Sequence, residues 1–381
     1  MRILLVNRFF GGKQVPTGRM AEDVAEELIR LGHSVTVLAS NGTYIKGGKN
    51  PAIEDTETKR RESGLARLTQ WAWFWLKAVF GLMFFSWDRC VLLTDPPFLP
   101  LAAWLTRPFR SSRRRVYWWT MDIYPEALVA AGMISSGGLP CRSLKVLNEL
   151  GLSAISGVVV LGARQLARLE CYAGWNRSPG FATIVPPWDL RRVVRVENGV
   201  NRVLQRHDWA GRNVALYAGN LGEGHLCREF AEAARWFHGA GREDWIFVFV
   251  VQGSGRSSLE EMTADLPNVR VLDYLPEAET SDLLWSATVH LISMKRGWEG
   301  VIVPSKLYGA LQTSAPILFI GPPDADTAAE VLRLARGATL PPGTSGADVA
   351  QKLDELAKPS WRRDPVFDSS GPGRIAEIVA R

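Results

Sequence analysis

Two glycine loops in the second half of the chain have residue types that suit phosphate. Gly219-Asn220 and Gly253-Ser254-Gly255 each follow an apolar run of strand length. A glycine turn between a strand and a helix presents backbone N–H groups and a positive helix end to an anion. His225 lies just beyond the first loop and Arg256 directly after the second, where a guanidinium can pair with a diphosphate. Spacing alone also allows both loops to be plain strand-to-helix turns and Arg256 to be a solvated arginine at the start of a helix.

A third segment, Pro304-Ser305-Lys306-Leu307, is predicted to open a helix, because proline suits the first helical position. The serine hydroxyl, the backbone N–H groups and the lysine ammonium can meet on one phosphate. Glu299 comes shortly before it, where a carboxylate can accept hydrogen bonds from sugar hydroxyls. A surface lysine and an ordinary loop acid are the alternatives.

Asp122 is the candidate in the first half of the chain, since it follows an apolar run and is predicted to lie at a strand end. Glu126 falls in the first turn of the next helix, where a negative charge is favourable in any protein. Neither a Ser/His/Asp triad nor an HExxH motif is evident, and the four cysteines are dispersed without a CxxC pair. We therefore expect a reduced protein without a metal centre.

Strand and helix patterns alternate along most of the chain, which is typical of parallel α/β sheets. The polar stretch 41–64 is predicted to be a loop. Predicted strands are 2–7, 34–38, 89–94, 115–120, 157–161, 182–185, 214–218, 246–251, 269–272, 287–293 and 316–320. Predicted helices are 17–31, 98–107, 124–132, 139–155, 163–173, 225–239, 257–265, 277–286, 304–313, 325–335, 346–357 and 372–380.

These patterns predict an α/β protein with two Rossmann-like doubly wound domains facing a central cleft. The first domain is expected over 1–190, the second over 191–365, and a last helical segment over 366–381. Ligands of such sheets bind at the carboxyl ends of the strands, in that cleft.

Positive charge and tryptophan are concentrated in one region. The chain carries a net charge of +6 and 15 Trp, and segment 59–115 alone has 11 basic and 3 acidic residues. Within it, 71–87 is apolar apart from Lys77, but a helix of that length spans about 25 Å, short of the roughly 30 Å hydrocarbon core. We predict that 65–87 and 107–115 meet an anionic membrane surface as an interfacial or re-entrant element. A buried core helix and a dimer interface are the alternatives.

Taken together and in this order, several motifs resemble those of the two-domain GT-B glycosyltransferases of the retaining family 4 type. The likeness is to bacterial enzymes of colanic-acid and O-antigen clusters, including N-acetyl-fucosaminyltransferases, and it covers nearly the whole chain. Its marks are Gly11-Gly12, Arg30-Leu31-Gly32-His33-Ser34-Val35, Leu93-Thr94-Asp95-Pro96-Pro97, Met121-Asp122-Ile123-Tyr124-Pro125-Glu126, Tyr217-Ala218-Gly219-Asn220-Leu221-Gly222 with His225, and Pro304-Ser305-Lys306-Leu307-Tyr308-Gly309.

The resemblance implies a nucleotide-sugar, most often UDP-linked, in the second domain and an acceptor in the first. It places Tyr274 and Leu275 near the base and Asp122 near the transferred sugar, and it returns the last helix to the first domain. Asp122, Glu299 and Lys306 are the expected catalytic residues, with no metal strictly required. The expected donor-site residues are Gly11, Gly12, Gly219, Asn220, His225, Gly253, Gly255, Arg256, Tyr274, Leu275, Pro304, Ser305, Lys306 and Leu307.

The chain departs from the family pattern around the phosphate helix. Many members carry two glutamates eight residues apart, where this chain has Val301 and Gly309. The second glutamate usually holds the ribose, so the resemblance implies that ribose recognition comes from elsewhere, while Glu299 substitutes for the first. The first glycine loop lacks the usual basic pair, which leaves Arg256 and Lys306 to carry the charge.

The expected function is retaining transfer of a sugar, an N-acetylated amino sugar in particular, to a polyprenyl-diphosphate-linked acceptor in cell-surface polysaccharide or O-antigen synthesis. The expected location is the cytoplasmic face of the inner membrane, because the start of the chain lacks the pattern of a signal peptide. A nucleotide-sugar epimerase or hydrolase and a non-catalytic sugar-nucleotide-binding protein remain open. A nucleic-acid-binding protein is disfavoured, since the basic residues flank the apolar run instead of alternating with aromatics.

Overall fold

The computed structural model describes residues 1–11, 16–40, 42–45, 64–172, 175, 180–189, 193 and 201–381. They form two compact units, the first made of Met1–Pro187 with Ser369–Arg381 and the second of Trp188–Asp368. Each unit is built around one sheet with helices, so the predicted α/β class with two doubly wound domains is confirmed.

The first unit contains a seven-stranded sheet in the order β3-β2-β1-β4-β5-β6-β7. All neighbouring strands run parallel except β2 and β3. The strands are β1 (Arg2–Val6), β2 (Ser34–Ala39), β3 (Gly42–Ile45), β4 (Arg89–Leu92), β5 (Arg115–Trp119), β6 (Gly157–Val160) and β7 (Ala182–Ile184). Its helices are α1 (Pro16–Arg30), α2 (Gly64–Phe84), α3 (Leu99–Thr106), α4 (Glu126–Ala130), α5 (Leu139–Leu152), α6 (Ala163–Glu170) and, after the second unit, α14 (Gly371–Ala380).

One loop prediction was wrong in this unit. Within the polar stretch 41–64, Gly42–Ile45 pairs antiparallel with β2. Thr43, Tyr44 and Ile45 are β-branched or aromatic residues that favour strands, and four residues suffice for an edge strand. Residues 41 and 46–63 lie outside the described part of the chain, and Gly64 already begins α2.

The second unit contains a six-stranded parallel sheet in the order β10-β9-β8-β11-β12-β13. The strands are β8 (Asn213–Asn220), β9 (Trp245–Gln252), β10 (Val269–Leu272), β11 (Val289–Ser293), β12 (Ile317–Ile320) and β13 (Gly337–Leu340). The helices are α7 (Arg202–Arg206), α8 (Arg228–Gly239), α9 (Arg256–Thr263), α10 (Thr280–Ser286), α11 (Lys306–Leu311), α12 (Asp326–Arg333) and α13 (Gly346–Leu356). Of these, β13 and α7 were not predicted, because each is short and only partly apolar.

Apolar runs explain why the sheets form where they do. Seven of the eight residues of β9 and all four of β6 are buried, as expected for parallel strands covered by helices on both faces. In α1 the buried Met20, Val24 and Leu28 repeat at the spacing of one helical face, which holds the helix against its sheet.

Each strand order reverses once. In the first sheet the chain leaves β1 toward β2 and later returns to its other side at β4, and in the second sheet the reversal falls between β8 and β11. At such a point the two adjoining loops diverge and leave a crevice at the carboxyl ends of the strands, where ligands of open α/β sheets bind. These two places are therefore where functional side chains should collect.

Candidate functional site

Lys306 reaches the reversal point of the second sheet. Its ammonium donates hydrogen bonds to the Tyr217 hydroxyl at 2.6 Å and to the Asn220 carbonyl at 3.0 Å, and it lies 4.3 Å from the centre of the Tyr217 ring. Tyr217 and Asn220 belong to β8, whereas Lys306 begins α11 beyond β11. The lysine thus joins the two strands between which the sheet order reverses.

His225 completes this cluster as a neutral acceptor. Its Nδ1 lies 2.8 Å from the Ser293 carbonyl, which can only accept, so Nδ1 carries the proton and Nε2 offers a lone pair. Nε2 is 3.4 Å from the Lys306 ammonium. Burial, followed by the charge of Lys306, lowers the pKa of His225 to about 3. The imidazole is therefore not a cation for phosphate near neutral pH.

Burial also changes the ionisation of Lys306. It lowers the pKa of the ammonium to about 7, and it raises the pKa of Tyr217, which keeps the phenol neutral. The contacts of the ammonium are a phenol, a carbonyl and an imidazole, all of them uncharged. An anion bound here would supply the missing negative charge and raise the lysine pKa again.

The two glycine loops pack against each other beside this lysine. Gly219 and Gly253 have φ angles of 132° and 116°, a region that side-chain-bearing residues rarely adopt. A Cβ on Gly253 would meet the Leu221 carbonyl oxygen at 2.7 Å, and the N–H of Gly255 donates to that same carbonyl at 2.9 Å. The predicted residues Gly219, Asn220, Gly253 and Gly255 are thus brought together at one sheet edge.

Arg256 has acidic partners within its own unit. Its guanidinium donates to Glu260 at 2.8 Å and also to Asp273, and these hydrogen bonds raise its pKa. Two carboxylates already balance its charge, so a diphosphate would have to compete with them. Its predicted role in phosphate binding stays a prediction, and Lys306 is the better placed cation.

The helix behind Lys306 is shorter than predicted. It begins at Lys306 instead of Pro304 and has six residues, and the Ser305 side chain does not cap it. Leu307 is fully buried and anchors the turn in the core.

Three further predicted residues lie in the second unit. The Glu299 carboxylate accepts a hydrogen bond from the Gly297 N–H at 2.7 Å and so shapes its own loop. Tyr274 and Leu275 are partly buried and pack on the apolar cluster beneath β8 and β9. Their proximity to a base, and the contact of Glu299 with a sugar, stay predictions.

Asp122 lines a cavity of about 160 Å³ at the reversal point of the first sheet. The cavity is also lined by Asn7 and Asp95, at the carboxyl ends of β1 and β4, and by the aromatic rings of Trp71 and Tyr124. Burial, followed by the charge of Asp95, raises the pKa of Asp122 to about 6. A carboxylate that is partly protonated near neutral pH and faces a cavity is typical of functional sites.

The charged groups that line this cavity are two carboxylates, Asp95 and Asp122. Arg8 holds Asp95 with two hydrogen bonds of 3.0 and 3.2 Å, and Asn7 donates from its amide to the Phe9 carbonyl at 2.6 Å. The Oδ1 atom of Asn7 is buried without a hydrogen-bond partner among the described residues. A ligand that offers hydroxyl donors would match this set, whereas a phosphate would meet two carboxylates.

Gly11 has a φ of 65°, and its N–H donates to the Gly18 carbonyl of α1 at 3.0 Å. Its predicted contact with the donor stays a prediction. Gly12 lies outside the described residues, so its predicted contact with the donor stays a prediction.

Helix α2 has two different faces. Phe74, Ala78 and Leu82, spaced four residues apart, are buried in the core, whereas the opposite face leaves large apolar side chains more than half exposed. These are Leu68, Trp73, Leu76, Phe80 and Phe84. The buried-helix alternative is therefore correct for one face only. Among the described residues, no helix has the length and hydropathy needed to span a membrane.

Segment 107–115 is held to the first unit by its basic side chains. Arg110 donates to the Ala154 carbonyl at 2.9 Å, and the Arg114 guanidinium lies 4.8 Å from the centre of the buried Trp87 ring. Phe109, which directly precedes Arg110, is exposed. Membrane contact through this segment stays a prediction.

Sequence reasoning gave no role in the site to Tyr217, Ser293 or the Arg8–Asp95 pair, although Tyr217 and Asp95 belong to the family-like motifs. Tyr217 and Ser293 were hidden inside apolar strand patterns, and Arg8 and Asp95 are 87 residues apart. The available signal was their position, since each lies close to the carboxyl end of a strand that borders a reversal point, Tyr217 and Ser293 within the strand and Arg8 and Asp95 just after it.

No family model matches the chain. Two candidate glycosyltransferases are similar to it. WbjE of Pseudomonas aeruginosa is 23% identical over 379 residues, covering 94% of this chain and 90% of that protein. WcaI of Escherichia coli K12, assigned to colanic acid biosynthesis, is 23% identical over 339 residues, covering 82% of this chain and 81% of that protein.

Solved structures share the whole fold. WaaG, a glycosyltransferase involved in lipopolysaccharide biosynthesis, matches with a TM-score of 0.69 at 16% identity, covering 100% of this chain and 99% of that one. HepE of Anabaena, in complex with UDP and glucose, matches with a TM-score of 0.63 at 12% identity, covering 100% of this chain and 95% of that one. The UDP-GlcNAc 2-epimerase of Neisseria meningitidis, bound to UDP-GlcNAc, matches with 0.57 at 12% identity, covering 100% of both chains. The chain therefore has the GT-B fold and resembles the glycosyltransferases of O-antigen and colanic-acid synthesis.

Proposed function

We propose that this chain is a glycosyltransferase that takes a sugar from a nucleotide donor, UDP-linked, in the synthesis of a cell-surface polysaccharide such as an O-antigen. The observation that carries the proposal is the Lys306 ammonium, which neutral partners hold at the reversal point of the second sheet, beside two glycine loops. The names of WbjE, WcaI and WaaG support the reaction class. The UDP bound to HepE supports the donor class.

In the proposed reaction the bond between the anomeric carbon and the diphosphate breaks, and a bond from that carbon to the acceptor oxygen forms with retention. The acceptor proton passes to the leaving diphosphate. Lys306 stabilises the charge that develops on this leaving group, a role that usually contributes strongly to catalysis. The reaction as proposed needs no metal, because the ammonium provides the electrostatic stabilisation of the leaving diphosphate that a metal ion would otherwise provide.

The acceptor belongs to the first unit in this proposal. Asp122, Asp95 and Asn7 line the 160 Å³ cavity, and carboxylate and amide oxygens suit the hydroxyl groups of a sugar. The aromatic rings beside them suit its apolar face. We assign to this cavity a sugar carried on a polyprenyl diphosphate, and we place an N-acetylated amino sugar on the donor.

A lipid-linked acceptor requires access to a membrane surface, and the exposed face of α2 is the proposed contact. Replacing Trp73 and Phe80 together with glutamate should abolish flotation with vesicles that contain anionic phospholipid, because both rings are exposed apolar anchors. The matched control is Trp236→Glu, which alters an exposed tryptophan of the second unit. Unchanged flotation of the double variant, or none by the unaltered protein, would reject this membrane contact.

Titration of the purified protein with UDP, GDP and ADP tests the donor assignment. We expect micromolar binding of UDP, weaker binding of the other two, and sugar transfer from a UDP-sugar to a lipid-linked acceptor that continues in the presence of EDTA. If none of the three nucleotides binds, the glycosyltransferase proposal is wrong.

An epimerase or hydrolase is the second candidate, favoured by the fold shared with the Neisseria epimerase. It would convert a UDP-sugar without any acceptor, so the same assay run with and without acceptor separates the two. A non-catalytic subunit would bind UDP but would neither transfer the sugar nor convert the UDP-sugar. A nucleic-acid-binding protein would instead show an affinity for DNA or RNA that falls steeply with salt.

A further inference from the structure

Gly309 is an unusual residue for its position. It lies inside α11, one turn after Lys306, where glycine is a weaker helix former than alanine. Residues three apart in a helix share a face, with about 5–6 Å between their Cβ atoms. Whatever occupies the space in front of Gly309 therefore lies next to the lysine proposed to bind phosphate.

That space is occupied by a carboxylate from another part of the chain. A Cβ on Gly309 would lie 3.5 Å from an oxygen of the Asp189 side chain and 3.7 Å from a methyl group of Leu284. One methyl group would fit at ordinary contact distance, but any longer side chain at 309 would displace the carboxylate. The absent side chain is thus the reason why Asp189 can stand against this helix.

The residue that follows α11, Gln312, fixes the backbone of Asp189 in place. The amide of Gln312, buried in the described structure, donates to the Asp189 carbonyl at 2.9 Å and accepts from the Val193 N–H at 3.3 Å. The adjacent Trp188 is also buried. A backbone held at two points and a buried neighbour give the carboxylate a defined position against α11 at Gly309.

We propose that Asp189 recognises the ribose hydroxyls of the nucleotide donor, an inference that rests on the proposed function. The vicinal hydroxyls of ribose are two donors, and a carboxylate is the acceptor that commonly reads them in nucleotide-binding α/β domains. A negative charge beside the phosphates would repel them. In the proposed complex, the ribose of a diphosphate held by Lys306 extends one turn farther along the helix, to this carboxylate.

Removal of the carboxylate tests this assignment. Titration with UDP, 2′-deoxy-UDP and 2′,3′-dideoxy-UDP should show that the unaltered protein prefers UDP by about tenfold to a hundredfold. Asp189→Ala and Asp189→Asn should bind all three with equal, weak affinity. Asp265→Asn is the matched control, since that aspartate pairs with Arg235 on the surface of the same unit, and thermal melts show whether each variant is folded.

A rescue variant separates recognition from a general structural effect. Gly309→Glu alone should weaken UDP binding, because its side chain meets the Asp189 carboxylate. Combined with Asp189→Ala, it should restore the preference for UDP, since the acid then comes from the helix itself. If Asp189→Ala keeps the preference, the inference is wrong although the protein binds nucleotides. If the unaltered protein binds no nucleotide at all, both the inference and the proposed function are wrong.

Discussion

Replacing Lys306 with methionine should weaken UDP binding by about tenfold to a hundredfold, the worth of one charge-assisted hydrogen bond. It should also lower kcat by about a hundredfold to a thousandfold, because the lost group stabilises a leaving group whose charge develops in the transition state. Methionine matches the length of the lysine stem but cannot donate to Tyr217 or Asn220. Calorimetric titration and donor turnover measure the two effects separately.

Lys358→Met is the control for this variant, since Lys358 is an exposed lysine of the same unit. It should leave UDP affinity and turnover unchanged. Thermal melts of both variants exclude unfolding as the cause of any loss. If Lys306→Met bound UDP like the unaltered protein, phosphate would have to bind elsewhere, and Arg256 would become the next candidate.

The lowered pKa of Lys306 gives the same prediction a pH dependence. At pH 8 the free lysine, with a pKa of about 7, is mostly neutral, so UDP binding must be accompanied by proton uptake. UDP affinity should therefore fall as the pH rises from 7 to 9, and the heat of binding should depend on the ionisation enthalpy of the buffer. Both effects should disappear in Lys306→Met.

Stability should change in the opposite direction over this range. Between the folded pKa of about 7 and the unfolded value near 10.5, the unfolded chain binds the proton that the folded chain lacks. Because stability rises with pH wherever the unfolded state binds more protons, the contribution of Lys306 makes the empty protein more stable toward pH 10. The difference in unfolding free energy between the unaltered protein and Lys306→Met isolates this contribution.

Local patterns were sufficient to predict the frame of the site. Parallel strands place their carboxyl ends at one sheet edge, so Gly219, Gly253 and Lys306 could be expected close together from the order of strands and loops alone. The structure brings them together in this way. The same reasoning placed Asp122 at a strand end, where it now lines a cavity.

What the sequence could not predict depends on contacts between distant residues. Arg256 was expected to carry charge for a phosphate, but Asp273, which lies 17 residues farther on, accepts from its guanidinium. His225 was expected on a phosphate loop, but burial and the charge of Lys306 keep its imidazole neutral, and the Ser293 carbonyl fixes the proton on Nδ1. The two faces of α2 could not be predicted from the sequence. Nearly every position of the helix is apolar, on the exposed side as well as on the buried side, so no pattern shows which side faces the core.

Replacing Asp122 with asparagine should lower kcat/KM for the acceptor by about tenfold to a hundredfold and leave UDP affinity unchanged. The reason is that the proposed sugar hydroxyl loses a charged acceptor in the first unit, whereas the proposed phosphate contacts belong to the second. Asp88→Asn is the control, since Asp88 pairs with Arg2 at the surface of the same unit. Equal losses in UDP affinity and turnover would contradict a role limited to the acceptor.

The pH profile tests whether the charge of Asp122 matters. With a pKa of about 6, the carboxylate ionises as the pH rises through 6, so kcat/KM for the acceptor should rise over the same interval. Asp122→Asn should remove this rise. Asp95→Asn should move it to lower pH, because the neighbouring negative charge that helps to raise the Asp122 pKa is gone, while the nearby Arg8 remains positive. A rise that stays at pH 6 in both variants would assign the titration to another group, and Asp122 would then contribute only to the shape of the cavity.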